Sequence, residues 1–179
     1  ARRRGAEVTV LVANVDLPRR PDVRYVDTPT AADLHREALA AFPGCDLLVM
    51  AAAVADFRPG APRAGKIDRR AEGTLALELA PTEDILADLA GRRSGQVLVG
   101  FAAEHGPDGL ERARAKRVRK GVDLIVHNDV SVEGIGFGSD RNEVTIIGPD
   151  GEERLPRMGK DACAERILDA AAPLLPPAA

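Results

Sequence analysis

Aromatic residues are scarce in this 179-residue chain: no tryptophan, one tyrosine and four phenylalanines. Ring-stacking platforms for single-stranded nucleic acid are therefore nearly excluded, and the core must be assembled from Ala, Val, Leu and Ile. Cysteine is scarce too. Cys45 and Cys163 stand far apart with no C-x-x-C, so neither a disulfide framework nor a cysteine-rich zinc site follows. His35, His105 and His127 have no ligand spacing, which argues against metal held by histidine. Positive charge is not in excess, since 25 Lys and Arg oppose 28 Asp and Glu for a formal charge of −3. The global basic footprint of a nucleic-acid binder is absent. Long apolar runs are missing as well: the longest, residues 47–55, falls well short of the ~20 that span a bilayer. The opening Ala-Arg-Arg-Arg-Gly has no apolar segment of a secretory signal. No membrane and a cytoplasmic setting with reduced thiols are the expectations. G-x-G-x-x-G, P-loop and G-x-S-x-G motifs do not occur.

What is present is the composition of a soluble globular domain, 45% hydrophobic and 30% charged, read as one domain over residues 1–179. Four times a glycine leads into a β-rich apolar run: Gly5 before residues 8–12, Gly44 before 47–50, Gly95 before 97–99 and Gly121 before 122–126. Glycines closing helices in the left-handed conformation would explain that punctuation. Apolar runs without polar alternation are strands buried on both faces, which means a parallel sheet covered by helices. Helices are predicted at residues 30–41, 82–91, 110–120 and 160–171, with Thr30 and Thr82 in capping positions. The fold class is α/β: a doubly wound, mostly parallel, Rossmann-like sheet. Leu75, Leu77 and Leu79 alternate with polar or small residues and, with Lys66 and Ile67, predict an antiparallel flap. Residues 143–147 and 152–155 flank Gly-Pro-Asp-Gly and predict a C-terminal hairpin. Residues 1–4 read as a helix end, whereas this class normally begins with a strand and a glycine-rich turn.

Candidate chemistry lies at the predicted strand ends. In AAAVADFRP (51–59) small residues close an apolar strand and place Asp56 just past its carboxyl end. Ligands of open parallel sheets bind there, and a carboxylate could accept ribose hydroxyls or hold a metal. A solvated aspartate in a turn explains the same position equally well. Lys66 lies on a loop rich in Pro and Gly, from which an ammonium could reach a phosphate, although most lysines are simply exposed. Asp84 opens a predicted helix, where an acid also complements the helix dipole. Phe101, after Gly100, ends another strand and lines either a base pocket or the core. Residues 111–120 are the densest basic run, with Lys116 and Lys120 four apart on one helix face. Taken alone, that run reads first as a solvated face.

These segments, in order, resemble the phosphopantothenoylcysteine synthetase family of coenzyme A biosynthesis. The carriers are AAAVADFRP (51–59), Lys66-Ile67, Asp84-Ile-Leu86, VGFAAE (99–104), KRVRK (116–120), HNDVS (127–131) and GFGSDRN (136–142). The resemblance implies a ligase in which 4′-phosphopantothenate attacks the α-phosphate of CTP, and cysteine then displaces CMP from the acyl-cytidylate. It implies Lys66 and Lys116 as catalytic residues that, with Lys120, hold the phosphates. It further implies Ala52, Thr82, Glu83, Asp84, Ile85 and Phe101 at the nucleotide, and Asp56 at the ribose or, like Asp84, at a Mg²⁺ ion. A homodimer is implied, with the 128–142 loop and the hairpin as contributors, as is possible fusion to a flavin-dependent decarboxylase. The chain departs from the family pattern at Asp68 and Arg69, where lysines are usual, and at Glu83, where proline is common. The family's N-terminal strand and its Ser-Ser-Gly loop, with the asparagine of the transfer step, have no counterpart in these residues. An NAD(P)-binding Rossmann oxidoreductase would share the sheet but should show the glycine fingerprint. A non-catalytic polyanion-binding module would use the 112–120 run.

Overall fold

The computed structural model describes residues 1–68, 73–132, 134–135 and 138–177. In chain order the strands are β1 (Thr9–Val12), β2 (Arg24–Asp27), β3 (Leu47–Met50), β4 (Phe57–Pro59), β5 (Leu79–Pro81), β6 (Val97–Glu104), β7 (Leu124–Asp129), β8 (Arg141–Ile147) and β9 (Glu152–Gly159). The helices are α1 (Ala31–Ala41), α2 (Ile85–Gly91), α3 (Gly109–Lys120) and α4 (Lys160–Ala171). A central sheet runs β3-β6-β7-β8-β9, parallel through β7 and antiparallel beyond it. Parallel β1 and β2 form a separate pair, and antiparallel β4 and β5 form another.

The central strands carry apolar side chains to both faces, because successive residues of a strand point opposite ways. Leu98, Ala102, Ile125 and Ile147 pack beneath α1, α2 and α3, against Leu34, Ala38, Leu86, Leu89 and Ala113. Their neighbours Val99, Leu124, Val126 and Ile146 pack on the other face, against Ile167 and Ala171 of α4. Each fully buried aliphatic side chain stabilises the fold by roughly 1.5–3 kcal/mol. Helices on both faces of a mostly parallel sheet make this the expected α/β architecture. Gly100 is required by that packing: a Cβ there would lie 2.8 Å from Leu86 Cδ2 and 3.0 Å from Ile125 Cδ1. Among the described residues, one buried side-chain polar atom, Nε2 of His127 on β7, has no hydrogen-bond partner. Among the described residues no helix is long and apolar enough to cross a membrane.

Several local expectations change. Strand β2 was not anticipated, although Tyr25 and Val26 sit between turn-forming Pro21-Asp22 and Pro29. The flap partner of β5 is β4, not Lys66-Ile67: Phe57 pairs with Pro81 and Pro59 with Leu79, while Leu75 and Leu77 lie outside the strand. Thr30 caps α1 as expected, accepting from the Asp33 amide at 3.1 Å. Thr82 does not cap α2; Asp84 does. Of the four punctuating glycines, Gly121 closes α3 at φ 64°, ψ 34° and Gly5 closes a 3₁₀ turn, both left-handed. Gly44 lies inside a 3₁₀ turn, and Gly95, at φ 126°, is outside the left-handed helical region. The hairpin forms as β8 and β9 and completes the sheet by pairing with β7.

Candidate functional site

Helix α3 turns Ala113 into the core, fully buried, and Lys116 and Lys120 follow three and seven residues later along the same stripe. Lys116 therefore runs along the edge of that buried face to the middle of β6. Its Nζ donates to the Phe101 carbonyl at 2.9 Å, half-buried. Burial pushes the Lys116 ammonium below the usual lysine range. Glu104 and Asp56 oppose that shift, while Lys120 and Arg119 add to it. A cation kept partly dry in this way attracts an incoming phosphate more strongly than a solvated one.

One turn further on, Lys120 pairs with Asp84. Asp84 also caps α2, its Oδ1 accepting from the Ala87 amide at 3.2 Å. Burial raises the Asp84 carboxyl, but the Lys120 ammonium and the Ala87 amide outweigh it and hold the group below the ordinary carboxylate range. The turn before α2 is tied to the flap, because the Thr82 amide donates to the Asp56 carbonyl at 2.8 Å. Residues far apart in sequence thus share one corner: Asp56, Thr82, Asp84, Phe101, Lys116 and Lys120.

The remaining candidates are placed as follows. Ala52 is exposed just after β3, and Asp56 is exposed just before β4. Glu83 is exposed in the turn, and Ile85 is buried in the core. The Phe101 side chain packs part-buried against the Val99 and Val126 cluster, on the sheet face opposite Ala102. Its carbonyl, not its ring, meets Lys116. Lys66 is exposed on the segment between β4 and β5, and no contact given by the structure joins it to the lysines of α3. Arg69, Gly136 and Phe137 lie outside the described residues. Sequence reasoning missed His35 on α1, whose ring bonds to Asp88 across 53 positions of chain; no local pattern signals that contact. It also missed Glu104, which acts on Lys116 and accepts from Arg112 at 2.8 Å.

Among the described residues no three His, Cys, Asp or Glu side chains cluster as a metal site. Magnesium does not demand such a cluster, since it commonly takes one or two carboxylates plus substrate phosphates and water. Asp56 and Asp84 fit that donor set only together with a bound nucleotide. Much of the basic run is engaged internally: Arg112 with Glu104, Arg114 with Glu111 and Glu152, and Arg117 with the Asp123 carbonyl. That leaves little of it for a polyanion.

Comparison with known proteins gives a consistent answer. Residues 1–174 match the family model described as DNA/pantothenate metabolism flavoprotein C-terminal domain. The coenzyme A biosynthesis bifunctional protein CoaBC of Bacillus subtilis is 39% identical over 172 residues, 95% of this chain and 42% of that protein. A cysteine/cysteine sulfinic acid decarboxylase from an unknown prokaryotic organism is 41% identical over 145 residues, 80% of this chain and 40% of that protein. The chain thus spans about two-fifths of these relatives. The crystal structure of the C-terminal domain of a CoaBC superposes with a TM-score of 0.76 at 33% identity, over 95% of this chain and 77% of that one.

Proposed function

The chain belongs to the DNA/pantothenate metabolism flavoprotein C-terminal domain family, and on that premise we propose that it is the ligase unit of a coenzyme A biosynthesis enzyme. The observation that carries the reading is the convergence of Lys116 and Lys120, from one helix face, on the Phe101 carbonyl and Asp84. Such a pair would offer a triphosphate two positioned cations between β6 and the start of α2.

In the proposed reaction the carboxylate of 4′-phosphopantothenate attacks the α-phosphorus of CTP. The bond to the bridging oxygen breaks, and pyrophosphate leaves with its electron pair. Negative charge grows on the leaving group, where Lys116 and Lys66 are proposed to act and Lys120 to bind. Mg²⁺, held by the phosphates with Asp56 and Asp84, would supply further charge shielding. The amine of cysteine then attacks the acyl carbon, CMP departs and the amine proton is lost to solvent. Both steps join bound partners, so proximity does much of the work and no enzyme nucleophile is needed. Ala52, Thr82, Glu83, Ile85 and Phe101 are proposed to border the nucleotide. The Lys116 bond to the Phe101 carbonyl would be exchanged for phosphate.

A homodimer in the cytoplasm, and a neighbouring catalytic unit of the kind that "bifunctional" denotes in the relatives, are part of the proposal. The test is pyrophosphate release from CTP with 4′-phosphopantothenate, with ATP as control. It should be run on this chain and on one extended by the family's N-terminal strand and asparagine loop. Release with CTP is expected in the extended chain. No release with either nucleotide rejects the ligase.

A further inference from the structure

His35 lies on α1, and its ring, largely buried, faces two carboxylates that belong to the start of α2. Nε2 is 2.7 Å from Asp88 Oδ2, and Nδ1 is 3.3 Å from Glu83 Oε2. Asp88 is itself fixed: its amide donates to the Asp84 carbonyl at 2.9 Å, and its Oδ1 accepts from Arg92 at 2.8 Å. Nε2 makes a hydrogen bond to Asp88, and Nδ1 lies within ion-pair distance of Glu83. Glu83 is the residue between Thr82, tied to the flap through Asp56, and Asp84, tied to α3 through Lys120. The short turn 82–85 is therefore held from three directions, and His35 supplies the hold from α1.

We propose that His35 is a positioning residue for the nucleotide: it fixes the Glu83–Asp84 turn in the conformation that receives the triphosphate. The inference rests on the nucleotide reading above, but its geometry does not. Asp88 aims the ring, and Nδ1 then sets Glu83, so the two nitrogens have different work. A side-chain amide from asparagine comes near the Nδ1 position, and one from glutamine near Nε2. The Asn variant can still hold Glu83, whereas the Gln variant keeps only the anchor to Asp88.

Two measurements on this chain test it. Without nucleotide, amide hydrogen exchange at Ala87 and Asp88 should speed up at least fivefold in His35→Ala and His35→Gln, and stay within twofold in His35→Asn. Exchange in the β6 core should not change in any of them. Titration calorimetry with Mg·CTP should then show affinity about tenfold weaker in the Ala and Gln variants, with Asn restoring most of it. In the extended chain the loss should appear in KM for CTP and leave kcat within twofold. Unchanged exchange in His35→Ala overturns the proposal, whatever the nucleotide does. Unchanged CTP affinity in that variant, with a wild type that binds, overturns it as well. A uniform loss in Ala, Gln and Asn alike, with lowered core protection, marks a merely structural histidine and also overturns it. A wild type that takes up no CTP rejects the nucleotide reading, and with it the role proposed here.

Discussion

The floor of the site and the flap beside it are built on opposite terms. On the floor, Leu98, Val99 and Ala102 of β6 are wholly buried, and the charged groups above them already have protein partners. Lys116 donates to the Phe101 carbonyl, and Lys120 pairs with Asp84. On the flap, Phe57 is 60% exposed and Leu79 53%, two three-residue strands make the only ladder among the described residues there, and Lys66 is exposed. The floor is set before any ligand arrives, so its cations pay little ordering entropy when a phosphate binds. The flap is held instead by its short ladder and by the Thr82 amide bond to the Asp56 carbonyl, with little apolar burial behind it.

The contrast is sharpest in the core. Leu98→Ala should lower the free energy of unfolding by about 2–5 kcal/mol, whereas Phe57→Ala on the flap should change it by less than about 0.5 kcal/mol. Urea denaturation measures both, and equal costs would erase the distinction. Next come the lysines. Lys116→Met should cut pyrophosphate release about 100-fold, roughly 2.7 kcal/mol of transition-state stabilisation. Its thermal midpoint should hold or rise, because an apolar chain replaces a cation that burial disfavours. Lys66→Ala should also lose turnover, with no change in midpoint. If Lys116→Met destabilises the fold, the lysine is structural and the floor is no binding surface.

Smaller effects follow from titration. Asp84, held below the ordinary carboxylate range by Lys120 and Ala87 against its burial, contributes stability above the unfolded value of ~3.9. That contribution is lost as pH falls through the lower folded value. Asp84→Ala should cost about 1 kcal/mol at pH 7 by removing the helix cap, while Asp84→Asn keeps a cap and flattens the acid limb. His127 gives an acid limb at higher pH. Burial lowers its pKa, so as pH falls below ~6.5 the unfolded chain takes up the proton first and stability declines by at most ~1.4 kcal/mol per pH unit. His127→Leu should remove that slope in denaturation curves taken between pH 7 and 5.

What the sequence made legible follows the same division. Uniform apolar runs marked β6 and β7, because strands covered on both faces leave no polar alternation, and also marked edge strand β3, although its Val49 is exposed. Lys116 and Lys120 could be put on one helix face because their spacing is local. The Asp84–Lys120 pair joins residues 36 positions apart, and the His35–Asp88 contact spans still more chain, so neither has a periodicity to reveal it. Short strands failed for another reason. β2 and β4 hold no uniform apolar run of the kind that marked four-residue β3, and their pairing is decided by tertiary packing. Phe101 was expected to end its strand but lies inside β6, which runs on to Glu104, and which face its ring took depended on a register set by Gly100 and Ala102 packing under α2 and α3.

The most direct test is a crystal structure of this protein grown with CTP and Mn²⁺. The account predicts the triphosphate between α3 and the start of α2, its oxygens within hydrogen-bond reach of Lys116 and Lys120, and manganese beside Asp56 or Asp84. A nucleotide bound away from α3, with Lys116 still on the Phe101 carbonyl, would contradict it.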